Sequence, residues 1–540
     1  MDQTWLNNAV IYGINLSTFQ DGNGDGVGDF IGLTSRLSYL ADLGINCVWL
    51  LPFFVSPHRD NGYDVSDYYN IDPRYGTLDD FRDFVAQATN LGIKVIIELV
   101  VHHTSDQHPW FQAARSDRGS RYHDYYIWSD KLPAGPPEES FFPEVESGVW
   151  RYDPVAKAYF HHGFYHFQPD LNFANARVRN EVLAICDFWL SFGISGFRLD
   201  AAPLIIGRKG LPHTEVINPG QFWQKIRQFI NRRHPGAFVL AEADMAIAKI
   251  NEYVIDGTGV HTLLNFWLNQ TLHYALATQN TDPLAATLAE LPVPPKGTKY
   301  VNFLRNLDEL NVKLHVGQLD PSQQNEIYQH LGPSKSMQVY GRGIRRRLAP
   351  MLEGDRARLA QAFSLLFAMP GIPLFVYGDE LGMGENLDLA ERDSVRTPMQ
   401  WSDQVNGGFT SSLTGPLHHR LVHDPRYHYK NLNAAAQASD PASLLNFVKR
   451  LIALRKSQPL IGTEWFAPVK TGHSHVLGLT YVDSHRLIIL HNLSPAATDV
   501  HLPKLAHGRW TEIFSDNPYP PPDGATVKLG RYGFRWFSNE

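Results

Sequence analysis

Strand and helix patterns alternate along the first three-quarters of this chain, and that alternation leaves few folds open. Short apolar runs fall at 10–19, 45–52, 95–101, 196–201, 238–242, 262–266, 300–304 and 374–377. Between the first two, Phe30, Leu33, Leu37 and Leu40 recur at helical spacing. Between the next two, Phe81, Phe84, Val85, Ala88 and Leu91 do so, entered through Thr77 with Asp80 three residues later, a capping signal. Strands separated by helices need crossover connections and pair in parallel. Eight such units predict an α/β fold, a (β/α)8 barrel.

Two stretches break the rhythm. Residues 104–170 are rich in Pro, aromatic and His residues, and 313–342 also exceed an ordinary loop. Both are expected to stand over the ends of the strands. From 457 the pattern changes to short alternating runs such as His485-Arg-Leu-Ile-Ile-Leu-His-Asn-Leu493. The expected division is therefore a barrel at 1–103 and 171–456, an insertion at 104–170, an extra subdomain near 313–342, and a C-terminal antiparallel β-sandwich at 457–540.

A chain of 540 residues has room for a large core and more than one domain. Its formal charge of −7 argues against a nucleic-acid surface. Cys47 and Cys186 sit in apolar strand and helix patterns and read as small buried hydrophobes. No apolar run is long enough to span a bilayer, and the first residues lack a basic and apolar leader pattern, so a cytoplasmic protein is expected. Aromatic residues, 12% of the chain, suit stacking on sugar rings and leave a homo-oligomer open.

The chemistry gathers at strand ends. Gly196-Phe-Arg-Leu-Asp200 places Arg198 and Asp200 two residues apart, on one face of a strand. Phe238-Val-Leu-Ala-Glu242 ends in a carboxylate, as does Tyr300-Val-Asn-Phe-Leu-Arg-Asn-Leu-Asp308, and Lys94–His103 ends in two histidines. A structural ion pair would account for Arg198 and Asp200 alone. Three carboxylates at three strand ends point instead to catalysis at the C-terminal face of a barrel. Separately, Asp21-Gly-Asn-Gly-Asp-Gly-Val-Gly-Asp29 is a dense oxygen-ligand loop. It opens like an EF-hand, but its twelfth position is Gly32, so an EF-hand is rejected.

These motifs resemble the α-amylase clan, glycoside hydrolase family 13, over nearly the whole chain. Gly343-Ile-Arg-Arg-Arg-Leu-Ala-Pro350, Tyr377–Gly384, Val395-Arg-Thr-Pro-Met-Gln-Trp401 and Ser443–Asn446 resemble its trehalose synthase branch. The resemblance implies that 104–170 is the B domain. It implies Asp200 as nucleophile, Glu242 as general acid/base and Asp308 as a third carboxylate that holds the 2- and 3-hydroxyls. It also implies that Arg198 keeps Asp200 ionised, His103 binds the 6-hydroxyl, Tyr63 stacks under the ring, and Asp64 with Arg396 takes the 4-hydroxyl and closes the pocket. Asp21, Asn23, Asp25, the Val27 carbonyl and Asp29 match the family's Ca2+ site, a structural one; no organic cofactor is implied.

Departures from the family matter as much. Glu98 stands for the usual aspartate and is expected still to reach Arg198. His102 replaces an asparagine that in relatives ligates a second calcium, and Leu204, Ile205 and Gly207 replace other parts of that site, so only Asp170 remains and the second calcium is expected to be lost. Adjacent His102 and His103, without a third spaced ligand, carry little weight as a zinc site. Leu307 replaces a histidine that donates to the −1 sugar, predicting a slower enzyme or a different sugar. Lys313 is expected to reverse a charge on the aglycone side.

Three functions compete on these residues. One is an isomerase interconverting maltose and trehalose through a covalent glucosyl intermediate. The second is an exo-acting hydrolase or transglucosidase of short α-glucosides. The third is a catalytically weak sugar-binding protein, against which stands the survival of Asp200, Glu242, Asp308 and Arg198 together. No fused kinase is expected, and a separate kinase partner is left open.

Overall fold

The computed structural model describes residues 4–134, 140–205, 219–313, 318–412, 415–483, 485–506 and 509–539. Eight parallel strands close into a barrel: β1 (Ile11–Ile14), β2 (Cys47–Leu50), β3 (Lys94–Leu99), β4 (Gly196–Leu199), β5 (Phe238–Ala241), β6 (Thr262–Leu264), β7 (Lys299–Phe303) and β8 (Ile372–Val376), each beside its neighbours in sequence and β8 beside β1. All but the ends of β3 and β7 are buried along their whole length, because helices cover the outer face and side chains fill the inner one.

The helices follow from local chemistry. In Leu78–Asn90, Phe81, Phe84, Val85 and Ala88 form the buried face, and Thr77 and Asp80 close a reciprocal capping box. Leu91, read with that face, is the C-cap and is 48% exposed. Two strand readings are corrected at their ends. The first run stops at Ile14 because Leu16–Thr18 forms a 3-10 turn. Phe266 begins a helix (Phe266–Thr278), since the Asn265 side chain accepts from Leu268 N and caps it.

The insertion carries a helix (Pro109–Ser116) and a three-stranded antiparallel sheet of Trp128–Ser129, Ala158–His161 and Trp150–Asp153. The second interruption is a small sheet of Leu310–Asn311, Gly343–Ile344 and Gln338–Val339 with the helix Pro321–Leu331. Two of its three strands, Leu310–Asn311 and Gly343–Ile344, lie just outside 313–342. The C-terminal part is a five-stranded antiparallel sheet backed by the pair Thr498–His501 and Thr526–Leu529 around Ile488, Leu490, Val500, Val527 and Phe537. It is fastened to the barrel helix Arg356–Ala368: Tyr481 Oη donates to Ala368 O at 2.7 Å and Trp536 Nε1 to Ser364 Oγ at 3.0 Å. Among the described residues no helix is long and apolar enough to cross a membrane.

Gly196, at the start of β4, has φ +149°, and a Cβ there would lie 2.0 Å from Phe238 O on β5. Gly196→Ala must push apart the two strands that carry Asp200 and Glu242. A loss of at least about 2 kcal/mol is expected, read as a lowered melting temperature by scanning calorimetry. An unchanged melting temperature would contradict so tight a β4–β5 spacing.

Candidate active site

Barrel register puts the charges in one layer. Glu98 on β3 lies opposite Arg198 on β4, and Asp200 and Glu242 directly follow β4 and β5. The Arg198 guanidinium is fully buried. Its Nη1 donates to the Glu98 carboxylate and, at 2.6 Å, to Asp200 Oδ1, while Nη2 lies 2.9 Å from Glu242 Oε2. The added methylene of Glu98 is thus absorbed, and Trp49 Nε1 holds the other oxygen at 2.6 Å. Burial works against charge on Arg198, but Glu242, Glu98 and Asp200 outweigh it and keep the guanidinium protonated. Burial also pushes Glu242 up to about 8, against the pull of Arg198 and with the help of Asp200 and Asp308. A carboxyl group that still carries its proton at neutral pH thus stands beside a second carboxyl group on the same arginine.

Ala201, between the two strand ends, has φ +46°, and its N–H donates to Glu242 Oε2 at 3.1 Å. A left-handed alanine is a strained conformation placed at the site itself. The Glu242 backbone is anchored to its neighbour, donating to Leu199 O at 3.0 Å and accepting from Ala202 N at 3.0 Å.

A cavity of about 290 Å³ opens over these groups. Asp200, Glu242, Asp308, Tyr63 and His103 line it, so five of the eight expected sugar-site residues meet in one pocket. Arg198, Asp64 and Arg396 stand behind its wall. Asp64 and Arg396, expected to take the same sugar hydroxyl, are each held by other groups of the protein. Arg396 donates to Asp308 Oδ1 at 2.9 Å and to Leu307 O at 3.0 Å. Asp64 is instead wrapped by its own loop, accepting from Ser56 Oγ, Arg59 N and Asp60 N. A short loop with several donors satisfies a buried carboxylate more fully than one distant arginine.

Leu307 is 1% exposed, has φ +71°, and does not line the cavity. Its departure from the family therefore adds no bulk to the pocket; its carbonyl positions Arg396 instead. Lys313 is exposed, donates to Gly341 O at 2.9 Å, and does not itself line the cavity. Leu204 lines the cavity and Ile205 is buried, while Gly207 lies outside the described residues.

Several functional residues were not expected. Asp60, Phe141, Phe164, Glu309, Asn311, Arg342 and Arg392 also line the pocket. Phe141 and Phe164 stack with centroids 4.9 Å apart, and the Arg342 guanidinium lies 5.0 Å from the Phe141 ring. Glu309 accepts from Arg342 at 2.9 Å and from Arg392 at 3.0 Å, and Arg392 reaches within 3.4 Å of Asp308. Burial works to raise Glu309, but Arg392 and Arg342 outweigh it and hold it at about 2. Asn311 Oδ1 is buried without a hydrogen-bond partner among the described residues. Burial raises Asp60 to about 7 even though Arg392 and Gln168 oppose it. A signal for some of these lay in the sequence: Arg342 directly precedes the Gly343–Pro350 motif, and Glu309 follows Asp308.

In the 21–29 loop, Asp21 accepts from Gly24 N and Gly26 N, and Asp29 accepts from Gly22 N, Asn23 N and Gly32 N. Burial and, to a lesser degree, the nearby Asp21 raise Asp29. Asn23 and Asp25 are exposed. The donors are all hard oxygens, the chemistry Ca2+ needs. Among the described residues, however, the three-ligand group within 4.8 Å is His102, His103 and Asp170, not the loop carboxylates. The histidine pair does have a third partner.

An eight-stranded barrel with these carboxylates at its C-terminal face defines the class. A model described as the alpha-amylase catalytic domain matches residues 14–307 and 342–464, and one described as the maltogenic amylase C-terminal domain matches 480–536. The chain belongs to the alpha-amylase family of enzymes. A trehalose synthase of Thermus thermophilus is 39% identical over 100% of this chain, which spans 56% of that relative's length. A trehalose synthase of Pimelobacter sp. strain R48 is 35% identical over 99% of this chain and 95% of its own. The trehalulose synthase MutB of Pseudomonas mesoacidophila MX-45 superposes with a TM-score of 0.80 at 25% identity over 99% of each chain.

Glu309 is a nearly buried carboxylate between two arginines. Glu309→Gln is expected to cost about 3 kcal/mol at pH 7, the energy of its depressed pKa. Because the folded value lies below the unfolded one, the difference from wild type is present above about pH 4.5 and shrinks as pH falls toward about 2. Unfolding curves at several pH values check this, and a difference independent of pH contradicts it.

Proposed function

We propose that this chain interconverts maltose and trehalose, moving an α-glucosyl unit between two hydroxyls of the same glucose. The observation that carries the chemistry is one buried guanidinium, Arg198, gripping Asp200 and Glu242 from adjacent strand ends. Asp200 attacks the anomeric carbon. Glu242 gives its proton to the departing glycosidic oxygen, the bond breaks, and a covalent glucosyl–Asp200 ester forms with glucose released beside it. Glu242, now a base, takes a proton from another hydroxyl of that glucose, which attacks the anomeric carbon and frees Asp200. Maltose becomes trehalose or the reverse, with retention at each centre.

Keeping the glucose and excluding water decides the outcome. The Phe141–Phe164 stack and the Arg342–Glu309–Arg392 chain stand where they can close the pocket over the released sugar. The trehalose synthases named above, matched along the whole of this chain, support the isomerase over the hydrolase. A probable alpha-glucosidase of Rhizobium meliloti is more distant, at 31% identity.

Incubation with maltose, and separately with trehalose, followed by NMR tests the reading. The other disaccharide with little free glucose is expected, and Asp200→Asn is expected to lower the rate by about 10⁴-fold or more. Glucose as the main product would make the protein a hydrolase. The general acid gives a pH signature: kcat/KM is expected to fall as pH rises through about 8, where Glu242 loses its proton. A flat profile to pH 9.5 contradicts that role.

We also assign a structural Ca2+ to Asp21, Asn23, Asp25, the Val27 carbonyl and Asp29, with no part in the reaction. EGTA is expected to lower the melting temperature by several degrees and Ca2+ to restore it, with Asp25→Asn insensitive to both. Insensitive wild-type protein would refute the assignment.

A further inference from the structure

The segment after β3 and the end of the insertion bring together three donor residues, of which His103 also lines the sugar pocket. His103 bridges to Asp170, and Leu171 N donates to His102 O at 2.9 Å, so both histidines lie against Asp170. Each of the three residues is 1% exposed. His102 Nδ1 lies 3.1 Å from His103 Nδ1 and 3.4 Å from Asp170 Oδ1, and all three ligand atoms fall within 4.8 Å of one another. Metal–nitrogen bonds of about 2.0–2.1 Å in a tetrahedron set its edges at about 3.3 Å. Two of the observed separations match that edge.

The surrounding hydrogen bonds hold the donors in a ligating orientation. His103 Nε2 is 3.1 Å from Tyr63 O, which fixes the ring proton there and turns the lone pair of Nδ1 toward His102 and Asp170. Asp170 Oδ1 accepts from Gly163 N at 3.1 Å, and Oδ2 lies 2.9 Å from His161 Nδ1. A carbonyl behind one histidine and donors behind the carboxylate are what metal ligands usually have at their backs. The donor set does not suit calcium, which takes six to eight oxygens. Two imidazole nitrogens and one carboxylate oxygen suit a first-row divalent cation.

We propose that His102, His103 and Asp170 bind a divalent cation of the zinc class, through three protein ligands and one water. The cation would join the end of β3 to the insertion. It would also fix the ring of His103, whose other face lines the sugar pocket.

Chelator-stripped protein is titrated with Zn2+ by calorimetry and with Co2+ by visible absorption. One equivalent of Zn2+ and intense tetrahedral Co2+ bands are expected, with no displacement by excess Ca2+. His102→Asn, checked for folding by circular dichroism, is expected to weaken Zn2+ binding by roughly 100-fold or more. Absence of stoichiometric Zn2+ uptake by the wild type overturns the proposal. So does displacement by Ca2+, or a folded His102→Asn variant that binds Zn2+ as the wild type does. If that variant does not fold, the Co2+ spectrum of the wild type decides: octahedral, weak bands refute the site.

Discussion

A guanidinium buried in a barrel must be neutralised, and Arg198 is neutralised by the carboxyl groups to which the proposed chemistry is assigned. Glu98, Asp200 and Glu242 all touch it, from three consecutive strands. An isolated buried charge costs several kcal/mol, so the fold is stable only when these carboxyls are near. The same arrangement divides their protonation states. One cation cannot support three ionised carboxylates in a buried site, and burial raises both Glu98 and Glu242. A raised Glu242 beside Asp200 on one guanidinium follows from that residue and its burial.

The rest of the pocket extends this charge chain outward. Asp308 is held by Arg396 and Arg392, Arg392 by Glu309, and Glu309 by Arg342, which lies over the Phe141 ring. The chain runs from the barrel through the 310–344 subdomain to the insertion. Enclosure and chemistry are therefore connected: a disturbance of Arg342 reaches Asp308 through three successive ion pairs. In an enzyme that must hold glucose while its partner sugar is bonded to Asp200, that connection favours return of the glucose over entry of water.

The barrel was legible because its physics repeats: eight apolar strands and amphipathic helices, each marked by periodicity and capping. The meeting of Asp200, Glu242 and Asp308 in one pocket was legible because carboxylates at the ends of parallel barrel strands converge at one face. Less could be read where a side chain has two possible partners that are both remote in sequence. Nothing in the spacing says that Arg396 turns to Asp308 and not to Asp64, or that Leu307 uses its carbonyl and hides its side chain. The lid was invisible for a related reason. Arg342 and Arg392 are fifty residues apart, and only the tertiary fold brings them to Glu309. His102 and His103 lacked a third ligand in the sequence because Asp170 arrives from the far side of the insertion.

The central claim is that Asp200 forms the bond to the sugar while Glu242 supplies and removes the proton. A Glu242→Gln variant given α-glucosyl fluoride tests it most directly, since fluoride leaves without an acid and the ester then waits for a base that is missing. Peptide mapping by mass spectrometry should find one glucosyl unit on the peptide that carries Asp200. A glucosyl unit on another residue, or fluoride released with no adduct at any time, would contradict the account.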